Sequence, residues 1–264
     1  MSLLPHITVL VLTYDEAPNI GRTLAALTSF PKVVVLDSGS TDGTQEIVGR
    51  FANTRLCTRP FDSHGAQWSH GLNECGIETE WVLALDADYV LPEALVAEIA
   101  ALRPPALVAG YRASFDYLVF GRPLSGTLYP PVIVLYRRDK AHYIQIGHTH
   151  RLKVEGEVGA LEGRIAHEDR KPISRWFASQ QSYARLEADF LLGAAPSELR
   201  FSDRVRRLAW PAPILVFWAT LLGKRCVLDG WRGWYYVLQR TLTELMIAIE
   251  IIDRRIRPNA ADTE

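Results

Sequence analysis

The strongest constraint on this chain is an alternation across residues 6–102, where apolar runs too short for helices are separated by stretches with helical spacing. Residues 81–85 (WVLAL) are apolar throughout, and residues 32–36 (KVVVL) are apolar after the lysine. A strand with one wet face alternates polar and apolar side chains, so unbroken runs of this kind belong to strands covered on both faces. Residues 6–12 and 54–58 read as two further strands. Helices are expected over 19–29, 44–51, 65–76 and 91–102, the second with Asp42 and Gln45 able to cap its start and the last opened by Pro92. The order βαβαβαβα predicts an α/β fold with a mostly parallel, Rossmann-like sheet and helices on both faces.

The second half changes character. Residues 106–120 and 132–137 read as strands joined by a Gly/Pro-rich loop, short β segments follow over 143–165, and a longer helix spans about 174–192. The 29 basic and 30 acidic residues leave a net charge of −1, which argues against a uniformly basic nucleic-acid binder. That charge is unevenly spread. Residues 200–264 are net +4 and residues 1–199 net −5. The basic tail also holds the longest uncharged stretch, residues 208–223 (LAWPAPILVFWATLLG), between Arg204, Arg206, Arg207 and Lys224, Arg225. With two prolines it falls short of the ~20 residues that cross a bilayer. It reads as an interfacial helix at an anionic membrane surface, with a buried core helix as the alternative. Further on, Trp231, Tyr235, Leu238, Leu242, Leu245, Ile249, Ile252 and Ile256 form an apolar stripe of heptad type. The stripe is expected to pack on its own chain, with a homodimer through the last helix as the sharper alternative. Cys57, Cys75 and Cys226 are scattered and odd in number, which favours a reducing compartment. The opening MSLLPHITVLVLTYDE has no basic n-region or small-residue cleavage site and reads as a strand, not a signal peptide.

In an open parallel sheet, ligands bind beyond the carboxyl ends of the strands. Three polar clusters fall at such ends: Thr13-Tyr14-Asp15-Glu16, the run from Asp37 to Thr44 (DSGSTDGT), and Asp86-Ala87-Asp88. So many carboxylates on one rim repel one another unless a cation or a hydroxyl-rich ligand lies between them. Asp86-x-Asp88 suits a hard divalent ion, Mg²⁺ or Mn²⁺, whose remaining ligands are waters and phosphates. Asp37 can accept hydrogen bonds from a ribose or a base. No GxxxxGK[ST] and no GxGxxG after the first strand are present, which sets aside P-loop nucleotidases and ordinary dinucleotide sites.

TYDEAPNI, VVVLDSGSTDGT and WVLALDADYVLPEAL, in that order, resemble the family 2 glycosyltransferases of the GT-A fold, and among them bacterial envelope enzymes similar to lipopolysaccharide-core glucosyltransferases. Asp15 stands where the family usually has Asn. The resemblance covers about residues 6–195 and implies a GT-A domain over 1–199, with a nucleotide-binding half to about 105 and an acceptor half over 106–199. A helical, membrane-associating extension would occupy 200–264. It implies that Thr13, Tyr14 and Glu16 line the nucleotide pocket, that Asp37 holds the base or ribose, that Asp86 touches the ribose or a metal-bound water, and that Asp88 ligates the metal. Gln67 falls where the family has a polar residue near the nucleotide. Inverting transfer needs a carboxylate to take the acceptor's proton. The resemblance implies that the acidic pair ahead of Arg175-Trp176 supplies it, with Asp169 the first choice and Glu168 the second, and Arg175 and Trp176 supporting the acceptor site. In GHTHR, His148 and His150 share a strand face, and the resemblance implies His150 as the better choice for a metal contact, because similar envelope enzymes carry a His in this segment.

The expected activity is a metal-dependent inverting transfer from a nucleotide-diphosphate sugar, a UDP-sugar first, to a lipid-linked or envelope-glycan acceptor, at the inner face of the cytoplasmic membrane. Three rival readings fit the sequence less well. A sugar-nucleotide pyrophosphorylase would need a glycine-rich basic loop that TYDEAPNI lacks. A zinc hydrolase using His142, His148, His150 and His167 would lack the HExxH spacing. An inactive membrane-bound scaffold sits poorly with intact Asp88 and Asp169.

Overall fold

The computed structural model describes residues 2–146 and 149–257. Its internal contacts fall into two compact units, Met1–Pro123 with Tyr129–Lys171, and Leu124–Leu128 with Pro172–Glu264.

The first unit is built on strands β1 (Ile7–Thr13), β2 (Val33–Asp37), β3 (Thr54–Thr58), β4 (Trp81–Asp86), β5 (Tyr89–Val90), β6 (Val108–Val119), β7 (Arg122–Pro123), β8 (Val132–Arg137), β9 (Ala141–Ile146), β10 (Thr149–Val154) and β11 (Glu157–His167), with helices α1 (Ile20–Ala25), α2 (Thr44–Val48), α3 (His64–Glu74) and α4 (Glu93–Ala101). The main sheet runs β3-β2-β1-β4-β8-β6-β11-β5, with β7 beside β6 and a separate β9–β10 hairpin. The first four strands are parallel, as the continuous apolar runs predict. Antiparallel pairing enters with β8, which separates β4 from β6, while β6 and β11 are again parallel. Alternation along β1 feeds two cores. Val9 and Val11 pack with Leu24, Val48, Leu95 and Ile99 from α1, α2 and α4, whereas Leu10 joins Trp68 and Leu72 of α3. Phe120 and Gly121 join β6 to β7 as a two-residue hairpin, both with positive φ (49° and 74°), the backbone that matches strand twist.

The second unit is helical: α5 (Ile173–Gly193), α6 (Phe201–Arg207), α7 (Pro211–Trp218) and α8 (Gly230–Ile256). The long helix α5 belongs here, so the contacts divide the chain at Pro172, whereas the sequence reading drew its boundary after residue 199. Ala184, Ala188 and Leu191 of α5 share a core with Ile247, Ala248 and Ile251 of α8. Arg206 of α6 closes this core. Its guanidinium lies 2.6 Å from buried Glu244 and 3.3 Å from buried Glu187. Burial alone would lower its pKa, but Glu244 raises it well beyond the ordinary arginine value.

The heptad stripe of α8 does not pack on its own chain as expected. Trp231, Leu238, Leu245, Ile249, Ile252 and Ile256 are exposed, and the buried face is Gly233, Tyr236, Val237, Thr243, Glu244, Ile247, Ala248 and Ile251. Close approach explains the choice, because a Cβ on Gly233 would collide with the carbonyl oxygen of Cys226. Only the face carrying that glycine and the Arg206 partner can pack this tightly. Among the described residues no single helix is long and apolar enough to cross a membrane. Pro211–Gly223 and Cys226–Ile256 pass that test only as a pair, bent by 68°.

Candidate active site

Parallel register brings the carboxyl ends of the first strands abreast: Thr13 stands opposite Asp37, and Leu12 opposite Asp86. Beyond them opens a cleft of about 280 Å³, lined by Thr13, Tyr14, Glu16, Ser38, Gln67, Asp86, Asp88 and His167, with Phe61 and His64 on its wall.

The loops after β1 and β2 stitch each other into shape. Asp15 takes a left-handed backbone (φ 50°), a conformation that Asp and Asn tolerate better than other side chains. The substitution of Asp for the family's Asn therefore suits the backbone. Its amide donates to Ser40 Oγ at 2.7 Å, and its carboxylate accepts from the Thr41 amide at 2.9 Å. The N-cap of α2 is Gly43, in place of the expected Asp42, which lies one residue earlier and accepts from the Thr44 amide. Gln45, expected to cap the same helix, instead reaches Asp37 at 2.7 Å.

Asp37 is fully buried and saturated. It accepts from the amides of Gly39 and Ser40, from Gln45, from Thr13 Oγ1 at 2.9 Å and from Ser40 Oγ. Burial pushes its carboxyl up, but the hydrogen bonds of Ser40, Gln45 and Thr13 hold it below the ordinary value of 3.8. Asp37 therefore acts as a strut of the loop, and a direct contact with base or ribose would require one of these bonds to be given up. Its neighbour Ser38 reaches the cleft, held by buried Gln67, which also bonds the Arg59 carbonyl.

The acidic rim closes through a topological device. The short strand β5, just after Asp88, pairs antiparallel with the end of β11, so that Tyr89 stands opposite His167. Residues 86–88 and 167–169, remote in sequence, thereby become neighbours. His167 Nε2 lies 3.2 Å from Asp88 Oδ2. The imidazole is ringed by Tyr89, Phe115, Tyr117 and Tyr129, with ring centroids 4.9–6.4 Å away. Burial would lower the His167 pKa, but the charges of Asp88 and Asp86 raise it. Burial would likewise raise Asp88, yet His167 and Lys171 hold it low, whereas Asp86 is raised by burial and by the Asp88 charge.

Glu168 and Asp169 diverge. Glu168 is buried, pairs with Arg22 at 3.1 Å and Arg170 at 2.7 Å, and accepts the Gly121 amide. Asp169 is partly open. Its Oδ1 accepts from Asn19 Nδ2 and the Lys171 amide, both at 2.9 Å, and lies 3.2 Å from Lys171 Nζ. No donor among the described residues reaches its Oδ2. Lys171 also pairs with Glu16, and Asn19 bonds Glu16 at 2.7 Å, which ties the first cluster to the last. Burial raises the Glu16 pKa in spite of Lys171.

Thus Thr13, Tyr14, Glu16, Gln67, Asp86 and Asp88 meet at one cleft, with Asp169 linked to its edge through Lys171 and Glu16. Arg175 and Trp176 lie in the first turn of α5, in the second unit, where Trp176 packs on Phe177. His148 lies outside the described residues. For His150 only the backbone is described, paired with Gln145 in the β9–β10 hairpin. Sequence reading gave no site role to Asn19, Ser38 or Lys171, although Asn19 falls one helical turn after Glu16 within TYDEAPNI. It had noted His167 only among zinc ligands of a rejected reading.

A divalent ion suits this donor set. Asp86 and Asp88 present two like charges to one cleft, and the Asp88 charge adds to burial in raising the Asp86 carboxyl. No group of three or more His, Cys, Asp or Glu side chains poised for a metal occurs among the described residues. An ion here would complete its shell with water and a ligand's phosphates, as Mg²⁺ and Mn²⁺ commonly do.

Comparisons with known proteins agree in kind. The family described as Glycosyl transferase family 2 matches residues 8–149. The chain is 27% identical over 197 residues to the lipopolysaccharide core biosynthesis glycosyltransferase LpsC of Rhizobium meliloti (strain 1021), covering 69% of this chain and 70% of that protein. It is 37% identical over 83 residues to glycosyltransferase AglE of Haloferax volcanii, a stretch spanning 29% of this chain and 27% of AglE. Among solved structures it is similar to S. aureus TarS 1–349 in complex with UDP (16% identity, TM-score 0.44) and with UDP-GlcNAc (15%, 0.45), in each case over 95% of this chain and 91% of the other.

Proposed function

The chain belongs to glycosyl transferase family 2, and from that premise we propose an inverting transfer of a sugar from a nucleotide-diphosphate donor, a UDP-sugar first, to a lipid-linked or envelope-glycan acceptor. One observation carries the reading: Asp86 and Asp88 face the same cleft as Glu16 and His167, and Asp169, tied to Glu16 through Lys171, has one carboxylate oxygen that no donor among the described residues reaches. Tyr14 and Phe61 offer aromatic faces for the base, and Ser38, Gln67 and Asp86 offer polar contacts for base and ribose. Asp37 serves this pocket by holding the loop that presents Ser38.

Asp169 Oδ2 accepts the proton of the acceptor hydroxyl as that oxygen forms its bond to the anomeric carbon. The bond from that carbon to the diphosphate breaks on the opposite face, which inverts the configuration. Asn19 and Lys171 fix Oδ1, so the open oxygen is the one aimed at the acceptor. Asp88, with Asp86, would hold a Mg²⁺ or Mn²⁺ ion, which when bound offsets the charge of the departing diphosphate. Glu168, locked between two arginines, is a structural partner rather than the base. The name of LpsC supports a lipopolysaccharide-core acceptor. The unpaired thiols Cys57, Cys75 and Cys226 fit a cytoplasmic location.

A thermal-shift screen of UDP-, GDP-, ADP- and dTDP-sugars, each with Mn²⁺, Mg²⁺ or a chelator, tests the donor. One diphosphate donor should raise the melting temperature with the ion and much less without it. A flat response to all four would overturn the donor reading.

A further inference from the structure

The second unit carries an apolar surface that its own residues leave open. Trp210, Leu215, Trp218, Leu222, Leu228 and Trp231 are each more than half exposed. They run along α7, the turn after it and the start of α8, a path that bends by 68° at Lys224-Arg225. Monomeric proteins rarely present so many large apolar side chains on one stretch without a use for them.

Charge selects the occupant. Residues 208–240 contain four cations, Lys224, Arg225, Arg232 and Arg240, against one acid, Asp229. Asp229 is already engaged by the amide of Ser125 at 2.9 Å and its hydroxyl at 2.6 Å. The guanidinium of Arg232 lies over the Trp231 ring at 4.5 Å, a pairing that presents an apolar face and a positive charge together. Lys224 and Arg225, at the bend, are exposed. Arg206, by contrast, is turned inward to Glu187 and Glu244 and contributes nothing to this surface.

We propose that this bent helix pair is a docking surface for an anionic lipid leaflet: the apolar side chains of α7 and the bend enter the headgroup boundary, and Lys224, Arg225 and Arg232 meet lipid phosphates. A second copy of the chain fits less well. A coiled-coil seam needs one straight stripe, whereas these side chains cross a sharp bend, and pairing two such surfaces would bring like charges together.

The full-length chain is sedimented with vesicles of phosphatidylcholine alone or mixed with phosphatidylglycerol, at low and high salt. Wild type should pellet with the anionic vesicles, with a blue-shifted tryptophan emission quenched by brominated lipid, and high salt should weaken binding. Trp210→Ser/Leu215→Ser/Leu222→Ser/Leu228→Ser should bind at least about tenfold more weakly with an unchanged melting temperature, since all four positions are exposed. Lys224→Glu/Arg225→Glu should lose the preference for phosphatidylglycerol. Wild type left in the supernatant of both vesicle types would overturn the proposal. So would a stable wild-type dimer that the fourfold variant abolishes while neither protein binds vesicles. No donor or acceptor sugar enters the assay, so its outcome is independent of the proposed transfer.

Discussion

At the scale of single residues, the adjacent carboxylates Glu168 and Asp169 separate by environment. Asp169→Asn keeps the shape and the hydrogen bonds to Oδ1 but removes the proton acceptor. Turnover should fall by about 10²–10⁴ while donor affinity, read by calorimetry, stays near wild type. Glu168→Gln leaves the Arg22 and Arg170 guanidinia with a weakened partner, so its main effect should be a lower melting temperature. The opposite split, with Asp169→Asn active and Glu168→Gln stable but inert, would reassign the base. Asp37 yields a pH prediction. Its folded pKa is depressed below 3.8, so its contribution to stability is present above that value and disappears as pH falls through the folded one. In urea unfolding, wild type should exceed Asp37→Asn at neutral pH, and the gap should close below pH 3.8. Sequence motifs located both groups but could not show their partners. Asn19 reaches Asp169 across 150 positions, and nothing local to either residue announces that bond.

Elements show the same limit in another form. The largely buried strands β1, β2 and β4 were legible because runs this apolar admit few other readings. Helix α8 was not, since it carries two apolar stripes and the more regular heptad is the one left outside. What decides is close approach at Gly233 and the Arg206–Glu244 pair, both invisible to periodicity. Gly233→Ala should destabilise the second unit by about 1–3 kcal/mol through overpacking against Cys226. Arg206→Leu should cost about 3–5 kcal/mol, because Glu187 and Glu244 are left buried without their cation. Ile249→Ser, on the exposed stripe, should change stability by less than about 0.5 kcal/mol. Denaturant midpoints at constant slope would compare the three, and a large loss for Ile249→Ser would mean that the stripe is covered.

For the whole molecule, the α/β architecture of the GT-A type was readable from three motifs at strand ends, but the closure of the cleft was not. That closure depends on β5, two residues long, pairing with β11 after β6 and β8 have joined the sheet, an order no local pattern encodes. The consequence is testable by hydrogen exchange. Every residue assigned to the donor belongs to the first unit, and its segments come from both ends of that unit's chain. A nucleotide-diphosphate donor with Mn²⁺ at about 100 times its dissociation constant adds about 2.7 kcal/mol to the state that binds it. Protection should therefore rise together over residues 13–16, 37–44, 86–90 and 166–169, while the amides of α8 keep their rates. Protection confined to residues 13–90 would mean that the donor is held without the β11 terminus. Asp169 would then stand too far from the reacting carbon to act as its base, because a proton acceptor must come within hydrogen-bond reach of the attacking hydroxyl.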